Sequence, residues 1–275
     1  MLFDAHTHLN FLEYTDKQRE DLAKEIEASE VEYIMDAGDS LESCLQTVKD
    51  CSEYSWCYGA VGIHPHNAKD MDEETLLLIE NLAKKDKVKA IGEIGLDFYY
   101  DKSDRDEQRY WFRRQIQLAN KLKMPIMIHS RSADKETMDI LKEEGAFSDE
   151  RKSWFSMKEG MGGEMHSDAR VQIHCYSGSK ETAMQYVKLG AMISIAGPIT
   201  FKNNRKTVEV VQEVPIEFLL AETDAPYLTP VPHRGKSNKS PYVEHVVRRI
   251  AVLKQMTFDE VSLITFNNAK KFFNI

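Results

Sequence analysis

The segment at residues 88–131, "VKAIGEIGLDFYYDKSDRDEQRYWFRRQIQLANKLKMPIMIHSR", contains the pattern that decides the fold class. It begins with an apolar stretch of strand length, residues 88–94, and ends with a second one, residues 124–128. Between them, in residues 103–122, apolar side chains recur three and four positions apart. This spacing is typical of an amphipathic helix. The segment therefore predicts one strand–helix–strand unit.

The same alternation extends along the whole chain. Eight stretches of strand length stand at residues 1–5, 32–37, 57–63, 88–94, 124–128, 171–173, 191–195 and 218–221. Helical spacing occurs at residues 39–52, 72–84, 103–122, 133–144, 179–188 and 203–213, and a last segment begins with Thr257 and Glu260, spaced as a capping box. The pattern predicts a single (β/α)₈ TIM barrel of parallel strands over residues 1–275. A doubly wound sheet is the alternative, but no GxGxxG motif follows the first strand.

Composition limits the possible functions. The chain has 275 residues and a formal charge of −9, which argues against a general nucleic-acid coat protein. An anionic substrate would need a local basic patch. The four cysteines form no CxxC pair, so reduced thiols are expected. No stretch reads as a membrane span or a signal peptide, and we expect a cytoplasmic protein with no membrane partner.

Potential metal ligands follow most of the predicted strands. Active sites of TIM barrels lie at the C-terminal ends of the strands. The residues at these ends are His6, His8, His64, His66, Glu93, His129, His174, Glu222 and Asp224. Side chains two positions apart on a strand point the same way, so His6 and His8 can bind one ion together. Imidazole and carboxylate groups are ligands of hydrolytic divalent metals. The set exceeds the needs of one ion and predicts two metals that share a carboxylate.

Several motifs together resemble one known family. They are "FDAHTHL", "GIHPH", "IGEIGLDFYYD", "IHSR", "HCYSG", "GPITFK" and "LLAETDAPYLTP". Their order and coverage resemble the TatD family of metal-dependent deoxyribonucleases, in the amidohydrolase superfamily of TIM barrels. The resemblance implies that His6, His8, Glu93 and Asp224 hold one metal. It implies that Glu93, His129 and His174 hold the second, with Glu93 bridging. The cofactors would be two divalent ions, such as Mg²⁺, Mn²⁺ or Zn²⁺.

The activity that the resemblance implies is two-metal hydrolysis of DNA phosphodiesters, in the manner of a 3′–5′ exonuclease on single strands. Glu93 and Asp224 would be catalytic, with Asp224 as the candidate general base. The residues themselves do not decide the native ion, the polarity, exonuclease against endonuclease, or DNA against RNA. Two alternatives stay open: an amidohydrolase acting on a small phosphoester, lactone or amide, and a non-catalytic metal-binding module. Many amidohydrolases bridge their metals with a carbamylated lysine on strand four, where this chain has Glu93.

A basic rim is expected around the site. Residues 197–208 and 225–243 contain lysine and arginine but no acid. We predict substrate contacts by His64, Arg131, Lys202 and Arg234. Tyr99, Tyr100, Phe201 and Tyr227 are candidates for stacking on the bases of a DNA or nucleotide substrate. His66 is given no role, and His166 and His245 are interpreted as surface residues.

One segment departs from the family pattern. His129 and His174 are 45 residues apart, and the family typically needs fewer. The surplus is an insertion at about residues 147–168. Because it precedes the sixth predicted strand, its base should lie on the face opposite the metals. We expect it to pack on the outside of the barrel or to contact another subunit.

Overall fold

Eight parallel strands form a nearly closed barrel in the computed structural model, which describes residues 1–275. The barrel strands are β1 (Leu2–Thr7), β2 (Val31–Ala37), β3 (Cys57–Val61), β4 (Val88–Asp97), β5 (Ile126–Arg131), β8 (Val171–Ile173), β9 (Ala191–Ile195) and β10 (Leu219–Ala221). Their spatial order is the chain order. The predicted TIM barrel is therefore confirmed.

Helices follow or separate the strands. They are α1 (Asp16–Glu27), α2 (Leu41–Glu53), α3 (Glu73–Ala83), α4 (Arg105–Leu122), α5 (Asp134–Glu143), α6 (Asp149–Ser153), α7 (Lys180–Leu189), α8 (Arg205–Glu213), α9 (Val243–Lys254) and α10 (Phe258–Phe273). The predicted capping box of Thr257 and Glu260 starts α10. None of these helices is both long enough and apolar enough to cross a membrane.

The core lies between the barrel strands and the surrounding helices. Ile126, Met127 and Ile128 in β5 are fully buried. Both faces of a parallel sheet are covered in this architecture, so its strands consist of consecutive apolar residues. On α4 the buried face includes Phe112, Ile116 and Ala119, at the spacing that the sequence indicated. One apolar cluster of 69 buried residues results.

Three helices, α1, α6 and α9, and several strand ends were not predicted. α1 buries only Arg19, Ala23 and Ile26, so its apolar pattern is weak. α9 buries a clear stripe that includes Val246 and Ile250, and its omission was an error of interpretation. Strand β4 continues to Asp97 and β5 to Arg131, beyond the predicted ends at residues 94 and 128. The ends of these strands contain polar residues that belong to the site. A prediction based on apolar stretches therefore stops before them.

The segment at residues 147–168 forms α6 and a two-stranded hairpin, β6 (Lys158–Glu159) and β7 (Met165–His166). Arg151 in α6 is fully buried. Its guanidinium donates to the carbonyl oxygens of Ala169, Met124 and Arg170 and to Oδ1 of Asn120. These groups precede β5 and β8, so the insertion packs against the N-terminal end of the barrel.

Candidate metal centre

The C-terminal ends of five strands bring the predicted ligands together. His6 lies in β1, Glu93 in β4 and His129 in β5, while His174 directly follows β8. Asp224 follows β10, and its N–H donates to the carbonyl oxygen of His6 at 3.0 Å. This bond joins the last strand end to the first. The five segments thus converge at one mouth of the barrel.

The first group of ligands surrounds one oxygen of Glu93. Oε2 of Glu93 lies 3.5 Å from Nε2 of His6 and 3.8 Å from Nε2 of His8. Oδ1 of Asp224 lies 3.6 Å from Nε2 of His6 and 3.4 Å from Nε2 of His8. The two imidazole Nε2 atoms are 3.1 Å apart. Four potential metal ligands therefore surround one small space.

The second group surrounds the other oxygen of the same carboxylate. Oε1 of Glu93 lies 2.8 Å from Nδ1 of His129, 3.1 Å from Nε2 of His174 and 3.5 Å from Nε2 of His64. Glu93 is only 4% exposed. Its carboxylate is therefore placed between two sets of imidazoles, one at each oxygen.

Neighbouring groups fix the orientation of the imidazoles. Nδ1 of His8 donates to the carbonyl oxygen of Ala37 at 2.7 Å. Nδ1 of His174 contacts Oε1 of Glu222 at 3.0 Å. A carbonyl or carboxylate oxygen can only accept, so both rings carry their proton on Nδ1. Their Nε2 atoms are directed into the centre, where each offers a lone pair to a cation once its proton is displaced.

The histidines keep both carboxylates ionised. Burial alone would raise the pKa of Glu93, but His174 and His64, with a hydrogen bond from His129, hold it well below its ordinary value. Burial also opposes ionisation of Asp224, yet a hydrogen bond from His8 and the nearby histidines lower its pKa. Burial, together with His174, lowers the pKa of His6 and favours its neutral form. Burial opposes protonation of His8, His129 and His174, but the neighbouring carboxylates raise the pKa of all three, that of His8 to about 9. A cation that binds at the centre would displace protons from these rings.

The donor set fits divalent metal ions. Two Nε2 lone pairs at 3.1 Å, on His6 and His8, would repel one another unless a proton or a cation lay between them. The ligand atoms of His6, His8 and Glu93 lie within 4.8 Å of one another, and those of His64, Glu93 and His129 do the same. Mixed imidazole and carboxylate ligands at such spacing are typical of hydrolytic metal sites. The residues at this mouth can therefore hold metal ions.

Sequence reasoning missed the supporting roles of Glu222 and Asp97. Glu222 stood in the quoted ETD motif and was given no role. Asp97 ends β4 and its Oδ2 lies 2.8 Å from Nε2 of His66 and 3.3 Å from Nε2 of His129. His66, also left without a role, therefore belongs to the surroundings of the centre. Both acids could have been recognised from their positions in the sequence, because Asp97 ends β4 and Glu222 directly follows β10.

The predicted substrate contacts occupy different places. His64 is 7% exposed and its Nε2 faces Glu93. Its Nδ1 accepts from the N–H of His66 at 3.1 Å, so the neutral ring, whose pKa burial lowers, carries its proton on the Nε2 that faces Glu93. Arg131, Lys202 and Arg234 are exposed. The guanidinium of Arg131 lies 4.3 Å from the ring centre of Tyr99 and 4.5 Å from that of Tyr100. That of Arg234 lies 4.2 Å from the ring centre of Phe201.

Exposed aromatic rings stand on both sides of the centre. Tyr100 is 52% exposed, and its ring centre lies 5.5 Å from that of His66. Tyr227 is 51% exposed, and its ring centre lies 6.2 Å from that of His8. The two tyrosines thus flank the mouth. Of the residues interpreted as surface, His166 and His245 are both partly buried. The ring of His166 packs edge-on against Phe218 at 5.1 Å.

The fold and the site together define a metal-dependent hydrolase of the amidohydrolase fold. The family model described as TatD related DNase matches residues 3–274. The chain belongs to this family.

Known proteins resemble this chain over its whole length. The chain is 44% identical over 275 residues to the uncharacterized metal-dependent hydrolase YabD of Bacillus subtilis (strain 168), with 100% of both chains covered. It is 32% identical to the uncharacterized metal-dependent hydrolase YcfH of Escherichia coli (strain K12), covering 100% of this chain and 96% of the relative. The crystal structure of YjjV, a TatD homolog from Escherichia coli K12, has a TM-score of 0.84 at 25% identity, with 100% and 98% covered.

Proposed function

We propose that this hydrolase is a deoxyribonuclease that removes nucleotides from single-stranded DNA, with the 3′–5′ exonuclease direction that the family resemblance implies. The observation that carries the proposal is the position of Glu93, whose two oxygens face two separate sets of imidazoles. Such a carboxylate suits a pair of ions, and paired ions suit the in-line displacement of a phosphodiester. The name of the family model supports the same substrate class.

Each residue of the centre would have a distinct role in binding metal or moving a proton. His6, His8 and Asp224 would hold one ion, His129 and His174 the other, and Glu93 would contact both. Bound ions supply Lewis acidity, which lowers the pKa of a water and offsets charge on the phosphoryl oxygens. Asp224 is placed to accept the proton, because its side chain is 14% exposed while that of Glu93 is 5% exposed. It therefore faces the open side of the centre and remains ionised.

The rim supports a nucleic-acid substrate. Tyr100 and Tyr227 present exposed rings on opposite sides of the mouth, and every base offers a face for stacking. Arg131 carries a cation beside Tyr99 and Tyr100, where it can contact a phosphate. With Lys202 and Arg234, these groups would compensate locally for the acidic net charge of the chain.

The test uses the metal-loaded full chain on three substrates: a single-stranded oligonucleotide, its duplex and a small phosphodiester. We expect metal-dependent release of nucleotides from the 3′ end of the single strand, lost in His6→Ala and Asp224→Asn. Labels at each end of the strand report polarity. Hydrolysis of the small phosphodiester without release from DNA would overturn the proposal and support the alternative of a small-molecule amidohydrolase.

A further inference from the structure

Three potential ligands meet at the opposite face of the barrel. Glu164 and His166 stand two positions apart on the hairpin of the insertion, so their side chains leave the same face. Glu217 lies in the 3₁₀ turn Ile216–Phe218 that leads into β10. The ligand atoms of the three residues lie within 4.8 Å of one another, and Nε2 of His166 is 3.3 Å from Oε1 of Glu164.

Glu217 is a largely buried residue whose carboxylate has no partner in the chain. It is 9% exposed and makes neither a hydrogen bond nor an ion pair within 4 Å. The charges of Lys158 and Lys254 interact with the Glu217 carboxylate only from more than 4 Å away. Nζ of Lys254 donates to the carbonyl oxygens of Gln212 and Val214, and Nζ of Lys158 is 3.8 Å from Oδ2 of Asp168. The carboxylate of Glu217 thus lies beside Glu164 and His166 without a partner of its own, which leaves it available to a cation that the chain itself does not supply.

Gly160 leaves the space in which these carboxylates converge. A Cβ atom at this position would stand 2.3 Å from Oε1 of Glu164 and 2.9 Å from Oε1 of Glu217. The third potential ligand, His166, is held in place by packing, because its ring contacts the buried ring of Phe218. Two carboxylates and an imidazole thus face one gap that no side chain of the hairpin fills.

We propose that Glu164, His166 and Glu217 bind one divalent transition-metal ion, which ties the hairpin of the insertion to the entrance of β10. One imidazole with two carboxylates suits Zn²⁺ or Mn²⁺, whereas Mg²⁺ and Ca²⁺ prefer oxygen ligands alone. The site lies at the N-terminal ends of the strands and is separate from the centre around Glu93. Its role is to fix the insertion on the barrel, and it does not depend on the proposed nuclease activity.

The first test counts bound Zn²⁺ on the full chain by mass spectrometry of the metal after dialysis. We expect His166→Ala to bind one equivalent less than the wild type. The control is Glu159→Gln, which removes one charge from the same hairpin at an exposed position outside the cluster; it should bind as much Zn²⁺ as the wild type. Equal binding by folded His166→Ala and the wild type would overturn the proposal. Glu164→Gln provides the same comparison at an exposed side chain if His166→Ala does not fold.

The second test measures hydrogen exchange in residues 157–166. At a free Zn²⁺ concentration of about 100 times Kd, the ion should slow opening of the hairpin by about 100-fold. The slowing should disappear in Glu164→Gln but persist in His6→Ala, whose change lies at the other face. Exchange that does not respond to Zn²⁺ in the wild type would contradict the proposal, whatever the enzymatic activity.

Discussion

Glu222 accepts a hydrogen bond from Nδ1 of His174 at 3.0 Å and thereby directs Nε2 of that ring toward Glu93, 3.1 Å away. The carboxylate of Glu222 is fully buried and also accepts from Cys175 N–H, Gln172 Nε2 and Ser194 Oγ. Four donors therefore hold it in one orientation. A charged acceptor behind a ligating imidazole fixes the ring and increases its basicity.

Glu222→Gln should weaken metal binding at His174 by about 10- to 100-fold, as expected when a supporting group behind a ligand is lost. The amide retains the volume but presents two donors to a site that already contains four donors. Competition with a chromophoric chelator measures the affinity. Glu181→Gln, at an exposed position of α7, is the control and should bind like the wild type. An unchanged affinity would show that Glu222 has only a structural role.

Glu93→Gln should impair both sets of ligands, while His129→Ala should impair one. The reason is that Oε1 and Oε2 of Glu93 face different imidazoles, whereas His129 contacts only the Oε1 side. We expect hydrolysis to fall by about 100- to 1000-fold in Glu93→Gln, as on loss of one group that stabilises transition-state charge. The metal content of each variant checks the assignment. Loss of the same single equivalent in both would contradict a bridging position.

Much of this centre could be predicted from sequence, because in a parallel barrel each strand end points to the same mouth. His6, Glu93 and His129 therefore converge although up to 123 positions separate them. The pairing of Glu222 with His174 could not be predicted in this way. It depends on the placement of the segments after β8 and β10, which a pattern along the chain does not encode.

Elements with polar buried faces also escaped prediction. In α1 the buried face includes Arg19, whose Nε donates to the carbonyl oxygen of Leu9 at 3.1 Å. A charged side chain that is buried along its stem breaks the apolar period on which helix prediction depends. The insertion presents the same difficulty, since its anchor is the fully buried Arg151. Hydrogen bonds to backbone carbonyls therefore fix both elements together with the apolar contacts of Ile26 and Phe147.

Tyr100→Ala should raise KM for a single-stranded oligonucleotide by about tenfold or more, because stacking contributes about 1–3 kcal/mol per base. Hydrolysis of a small phosphodiester should be unchanged, since the ring contacts His66 at the edge of the centre and not Glu93. Steady-state kinetics on both substrates provide the comparison. Tyr110→Ala, which removes a similarly exposed ring from α4, is the control. Equal losses on both substrates would argue against a base-stacking role.

Arg151→Met should destabilise the fold by about 3 kcal/mol, because it leaves several buried carbonyl oxygens without a donor and each costs about 1–3 kcal/mol. The affected acceptors include the carbonyl oxygens of Ala169 and Met124. Urea unfolding measures the loss. Lys152→Met, at the neighbouring position, should change stability little. Activity per folded molecule should be retained, since Arg151 lies at the face opposite the centre.

Lys158→Met should stabilise the protein at neutral pH and lose this advantage in alkali. Burial is the main cause that lowers the pKa of Lys158 from 10.5 to about 8. The unfolded chain therefore binds more protons between these two values, and the stability of the wild type rises with pH across that window. The advantage of methionine should approach about 3 kcal/mol below pH 8 and vanish near pH 10.5. Asp168 retains Arg170 as a neighbour, with Nε at 3.6 Å.

Urea unfolding of the wild type and Lys158→Met at pH 7, 8, 9 and 10 measures this difference in the free energy of unfolding. Lys188→Met, at an exposed position of α7, should give a difference near zero at every pH. A wild type that is more stable than Lys158→Met at pH 7, by a difference that shrinks as the pH rises, would have the wrong sign. It would mean that the ammonium of Lys158 gains more from Asp168 than it loses by leaving water.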